Sequence, residues 1–91
     1  MAENSRKVRL TGRVQGVFFR AWTETQAREL GVSGWVRNCD DGSVEAHVEG
    51  DDAAVRQLTE RMRQGPPSAK VEDVQVENVP AEGFDRFEVR H

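Results

Sequence analysis

VSGWVRNCDDGSVEAHVE, residues 32 to 49, holds two period-two runs joined by Cys39-Asp40-Asp41-Gly42. Asp-Gly between alternating segments is a strong hairpin signal, because glycine accepts the positive φ that a tight turn between twisted strands requires. The pattern predicts strands over 32–38 and 43–49. In the second, Val44, Ala46 and Val48 share one face while Ser43, Glu45, His47 and Glu49 share the other. That division predicts a sheet packed on one side and open to water on the other.

Outward from the hairpin, the flanking segments are clearly punctuated. Residues 20–30 contain no Gly or Pro, Thr23, Ala27 and Leu30 recur at i, i+4 and i+7, and Gly31 follows as a stop, so a three-turn helix is predicted. Before it, KVRLTG (7–12) alternates with Val8 and Leu10 on one face, a strand buried on one side. After the hairpin, Asp51 or Asp52 can cap a second helix with Val55, Leu58 and Met62 on its inner face, ended by Gly65-Pro66-Pro67. AKVEDVQVEN (69–78) is a strand whose valines at 71, 74 and 76 change parity once, the mark of a bulge. Residues 80–83 form a loop, and FDRFEVR (84–90) gives a last strand with Phe87 and Val89 inward. The order is β, α, β, β, α, β with a short extra strand at the C-terminal end. This is an α+β chain with two helices on one face of an antiparallel sheet, the ferredoxin-like split βαβ arrangement, over residues 1–91 as a single domain.

Composition narrows the function. A formal net charge of −3 and a pI near 5.4 argue against a nucleic-acid-coating protein, whose affinity comes from a basic surface. No apolar run approaches the roughly 18 residues of a membrane span, and the polar start MAENSRK lacks the apolar core of a signal peptide, so the cytoplasm is expected. The single Cys39 forms no internal disulfide, and no Cys or His cluster offers a metal site, so neither metal nor other cofactor is expected. No surplus apolar face calls for a second copy, and a monomer is expected.

The chemistry concentrates in GRVQGVFFRAW (12–22), where two glycines and a glutamine precede an arginine at a helix start. Gly16 permits a backbone turn in which successive amides form an anion-binding nest. The helix that follows adds free N–H groups and about half an elementary positive charge. Arg20 stands at the end of that helix where a cation is disfavoured, an arrangement that a bound anion reverses. Two other phosphate loops are excluded by spacing, since neither G-x-x-x-x-G-K-[ST] nor G-x-G-x-x-G occurs. The segment reads as a cradle for a dianionic phosphate.

Gly12-Arg13-Val14-Gln15-Gly16-Val17-Phe18-Phe19-Arg20, then Leu30-Gly31-Val32-Ser33-Gly34-Trp35-Val36-Arg37-Asn38, then Asp41-Gly42-Ser43-Val44-Glu45, together resemble the acylphosphatase family, with a likeness that runs from the first strand to the last. The resemblance implies hydrolysis of the carboxyl–phosphate anhydride of small-molecule acyl phosphates, without a metal, on this same fold. It implies that Arg20 binds the phosphoryl group with backbone amides of Gln15, Gly16, Val17, Phe18 and Phe19, and that Asn38 holds the attacking water. The first strand and the strand ending at Asn38 can be neighbours in the split βαβ sheet, so that the loop after one meets the end of the other. Many members carry Thr after that asparagine; here it is Cys39. An acyl phosphate has a good leaving group, so the absence of His from all three stretches fits. Acetyl, carbamoyl and glycolytic acyl phosphates and phosphorylated aspartate on proteins are all admissible substrates, because no motif selects the acyl side.

The remaining aromatics and polar residues have plainer readings. Phe18, Phe19 and Trp22 are expected to pack rather than stack on bases, since no RNA-recognition strand motif accompanies them. Trp35 is expected in packing and His47 on the exposed face, away from catalysis. Cys39 stands beside a turn with two aspartates, Asp40 and Asp41, and a nucleophilic role for it is not expected. The rival reading is a non-catalytic anion-binding regulatory module on the same fold, which would bind phosphate without turnover.

Overall fold

The computed structural model describes residues 3–91. Along the chain run β1 (Glu3–Arg13), α1 (Phe19–Leu30), β2 (Ser33–Asn38), β3 (Val44–Asp51), α2 (Asp52–Gln64), β4 (Lys70–Asn78) and β5 (Phe87–Arg90). The five strands form one sheet in the order β4-β1-β3-β2-β5. Four of them pair antiparallel, and the short added strand β5 lies parallel to β2, with Gly34 opposite Phe87 and Val36 opposite Val89. The sheet is therefore mixed at that edge, on the ferredoxin-like plan expected from the element order.

Both helices cover the same face, because their buried side chains join one core with the inward residues of the sheet. Phe19 and Ala27 of α1 and Val55, Leu58 and Met62 of α2 meet Val8, Leu10, Val36, Val44, Ala46 and Val48 there. Each Val, Leu, Met or Phe among them contributes about 1.5–3 kcal/mol when fully buried, and the two alanines less. α1 ends in a left-handed Gly31, with Val32 N–H donating to Ala27 O at 2.9 Å and Gly31 N–H to Arg28 O at 3.3 Å, a Schellman closure. Asp51 stands at the N-cap of α2 but makes no side-chain cap bond. The next residue, Asp52, accepts from Asn4 at 2.9 Å and pairs with Arg56 at 2.8 Å. Among the described residues no helix is long and apolar enough to cross a membrane.

The parity change in β4 corresponds to a register shift. Thr11 faces Asp73 and Gly12 faces Val71, which leaves Glu72 without a partner. Gly12 sits there with φ 119°, where a Cβ would lie 2.3 Å from Lys70 O. β1 also extends further towards its N-terminal end than residues 7–12, because pairing with β3 continues to Glu3 opposite Asp51.

Two expectations need correction. The first strand and the strand ending at Asn38 are not neighbours, since β3 lies between β1 and β2. The second concerns the polar face of β3, which is not open to water: Glu45, His47 and Glu49 retain only 7%, 4% and 6% of their exposure. A strap formed by residues 80–84 closes over part of it. The Glu49 carboxylate accepts the backbone N–H of Glu82, of Gly83 at 3.1 Å and of Phe84 at 3.4 Å, and the Phe84 ring meets His47 edge-on at 5.3 Å. With the Phe84 amide held by Glu49, pairing of the last strand begins only at Phe87.

Candidate active site

β1 and β2 both run antiparallel to β3, so they point the same way and finish at the same edge of the sheet. Leu10 and Asn38 both stand opposite Val44, two strand spacings apart, about 9.6 Å. The loop that leaves β1 for α1 must cross that gap. Gln15 does so with its side chain: Nε2 donates to Cys39 O and to Ser43 O, each at 2.8 Å. Its amide is thereby a brace on the turn that follows Asn38. Sequence spacing assigned Gln15 a place in the cradle and missed this bracing role.

The turn is itself tightly held. Cys39 N–H donates to Ser43 O at 2.8 Å and Gly42 N–H to Cys39 O at 3.1 Å. The Asp41 carboxylate accepts from the Ser43 hydroxyl at 2.6 Å and the Ser43 amide at 3.0 Å, and pairs with Arg9. Those Ser43 bonds, helped by Arg9, hold the Asp41 carboxyl below its ordinary range. Asn38 therefore projects from a strand end fixed on both sides.

The loop between Gln15 and α1 contains two left-handed residues, Gly16 at φ 73° and Phe18 at φ 59°, ψ 25°. Phe18 is the N-cap of α1 and makes no side-chain cap bond. Among the described residues no backbone N–H from Gly16 to Arg20 donates to a backbone carbonyl. A helix start leaves such donors free, and α1 has no acidic residue in its first turn to meet them. A cavity of about 450 Å³ opens here, lined by Gly16, Phe18, Phe19, Arg20 and Asn38, with Val89 and His91 on the β5 side.

Arg20, the second residue of α1, has its Nη1 donating to Arg90 O at 2.9 Å and to His91 Nδ1 at 3.2 Å. This contact with the end of β5 has no signal in the sequence, because it depends on the parallel pairing with β2. Of the residues expected in the cradle, Gly16, Phe18, Phe19, Arg20 and Asn38 share the cavity. Gln15 and Val17 do not line it: Val17 packs against the core, and its carbonyl accepts from the Ser68 hydroxyl at 3.1 Å. Phe19 is buried at 1% exposure and faces the Trp22 ring at 5.6 Å, so only its backbone can serve an anion.

A second polar cluster lies on the opposite face of the sheet. Glu49 Oε2 is 2.6 Å from His47 Nε2, and Ser5 Oγ is 3.2 Å from the same nitrogen. With serine and acid on one ring nitrogen, the imidazole cannot pass a proton from one to the other, so this is not a nucleophilic triad. Burial pushes the Glu49 carboxyl up, but the Glu82 amide, His47 and the other strap amides outweigh it and hold it below its ordinary range. Glu45 behaves likewise, its burial outweighed by Arg37 at 2.8 Å and Lys7 at 3.4 Å. Trp35 stacks on His47 at 6.2 Å, and Arg90 lies over the Trp35 ring at 4.8 Å. Among the described residues no three His, Cys, Asp or Glu side chains converge as a metal-binding group.

Comparison with known proteins bears on the family and the fold. The acylphosphatase family model matches residues 6–89. An acylphosphatase of Haloarcula marismortui is 51% identical over 90 residues, covering 99% of each chain, and one of Rubrobacter xylanophilus is 54% identical over 98% of this chain and 84% of its own. The solved structure of an acylphosphatase from Coxiella burnetii superposes with a TM-score of 0.93 at 40% identity, covering 97% of this chain and 93% of that one. The chain belongs to the acylphosphatase family of hydrolases.

Proposed function

We propose that the protein hydrolyses acyl phosphates by direct attack of water on phosphorus, with Arg20 and Asn38 as its catalytic residues. The observation that carries this reading is the single cavity in which Arg20, Asn38 and the left-handed Gly16-to-Phe18 loop meet. Arg20 and the amides from Gly16 to Arg20 bind the phosphoryl oxygens. The charge that builds on those oxygens is met by donors already in place, which is where preorganised sites gain most of their rate.

The side-chain amide of Asn38 can both accept from and donate to a water molecule, but it is no base near neutral pH. It positions the water opposite the leaving group, a task worth several kcal/mol in itself. The water oxygen forms the new P–O bond, the P–O bond to the acyl group breaks, and its electron pair leaves on the carboxylate. The proton of the water passes to a phosphoryl oxygen or to solvent. The carboxylate is stable without protonation, so no general acid is required.

On this reading residues 1–91 work as one domain, as a monomer, on a small-molecule acyl phosphate in the cytoplasm. Hydrolysis of benzoyl phosphate in EDTA, compared with Arg20→Ala and Asn38→Ala, tests the mechanism. Turnover should fall at least a hundredfold in each variant while circular dichroism is unchanged. An Asn38→Ala protein with undiminished turnover would remove Asn38 from the mechanism. Phosphate binding without any turnover in the natural protein would leave a recognition module instead.

A further inference from the structure

The phosphoryl cradle leaves the acyl half of the substrate without a partner, and Phe18 stands beside it. We propose that the Phe18 ring is the platform on which the acyl group lies, so that the site favours flat, apolar acyl phosphates over small ones. This deepens the phosphoryl-transfer reading above and rests on it.

Phe18 departs from two local preferences at once. Its backbone is left-handed, at φ 59° and ψ 25°, where a Cβ crowds the following carbonyl and where Gly or Asn sits with less strain. Gly16, two residues earlier, meets the same demand with no side chain. Burial does not compensate, because the Phe18 side chain remains 85% exposed. Val76, at 39%, is the other large apolar side chain counted as exposed among the described residues, so the exposure of Phe18 is not a general property of this surface. The ring serves neither the turn nor the core of the free protein.

Its position supplies the role. Phe18 is the N-cap of α1 and lines the same cavity as Arg20 and Asn38. A phosphoryl group held at the helix start therefore lies next to residue 18. In-line attack puts the water and the departing carboxylate on opposite sides of phosphorus, so the acyl group leaves the cavity away from Asn38. Val14, Phe19, Ala21 and Val89 add apolar lining, with His91 beside them on the β5 side. An aromatic ring covered on binding loses its contact with water and gains a stacking partner. A base-stacking role would require the sheet surface, and Phe18 lies in the loop between β1 and α1.

Calorimetric titration with phenacylphosphonate and acetonylphosphonate tests the platform. These carbon-linked analogues cannot be hydrolysed in the manner of an acyl phosphate, and they exchange phenyl for methyl. The natural protein should prefer the phenyl analogue by about three- to tenfold. Phe18→Gly and Phe18→Asn, both suited to the left-handed backbone, should bring the ratio near unity, and Phe18→Tyr should preserve it. Phe18→Gly should also melt at a higher temperature than the natural protein. An unchanged ratio in the Gly and Asn variants would overturn the platform, even if benzoyl phosphate is hydrolysed normally. A Phe18-dependent preference in a protein that hydrolyses no acyl phosphate would instead contradict the catalytic reading and leave the platform standing.

Discussion

Two loops in this molecule present consecutive backbone amides, and they differ in what answers them. At residues 82–84 the amides point at Glu49, a carboxylate of the protein itself, with His47 on its other side. At residues 16–20 the amides meet no backbone carbonyl among the described residues, and Arg20 places a cation beside them. The first loop is an internal anion site that fastens a strap to the sheet. On the function proposed above, the second is the same kind of donor array left for an anion from outside. On that reading backbone amides are structural where the chain supplies the acceptor and functional where it does not.

The largest expected effect separates the loops by what fails. Arg20→Ala should lower kcat/KM by at least a hundredfold, about 3 kcal/mol of transition-state stabilisation, with little change in melting temperature. A variant that loses stability instead would place Arg20 in the scaffold. Glu49→Ala should do the reverse. It leaves three strap amides and His47 without their acceptor and should reduce unfolding free energy by about 3 kcal/mol, measured by urea denaturation. A loss under about 0.5 kcal/mol would mean that the strap is held by its side chains alone.

Gln15→Leu examines the brace between the loop after β1 and the turn after Asn38. Two hydrogen bonds are lost, and kcat should fall about tenfold while affinity for inorganic phosphate changes less. Equal losses in both would show that Gln15 serves the cradle directly.

The smallest effect is in pH. Glu49 is held below its ordinary value of 4.5, so its contribution is fully present above that pH and disappears as pH falls through the folded value. Glu45 and Asp41 are depressed in the same direction. Stability measured by denaturant should therefore decline on acidification below about pH 4.5, and Glu49→Gln should flatten part of that decline. A parallel decline in both proteins would take Glu49 out of the linkage.

Much of this architecture is legible in the residues themselves. Asp41-Gly42, Gly31 and Gly65-Pro66-Pro67 punctuate the strands and helices because each satisfies a specific backbone demand. The proposed cradle is legible because its donors are contiguous in sequence. Strand order is not, since alternation of apolar residues tells which face is buried but not which strand lies alongside. Hence β1 and β2 read as possible neighbours although β3 separates them. The buried polar face was hidden for a related reason. Glu45, His47 and Glu49 alternate as a solvated face does, and their cover comes from elsewhere in the chain: Lys7 and Arg37 at Glu45, Trp35 and Phe84 at His47, and the amides of residues 82–84 at Glu49. The left-handed backbone of Phe18 has no marker either, because phenylalanine is not a residue that signals such a turn.

The most direct test of the central claim is an amide-resolved NMR titration of the natural protein with inorganic phosphate. The amides of Gly16 to Arg20 should move together and saturate along one binding curve, while those of Glu82, Gly83 and Phe84, already bonded to Glu49, stay in place. Shifts scattered over the surface, with Gly16 to Arg20 unmoved, would contradict the account.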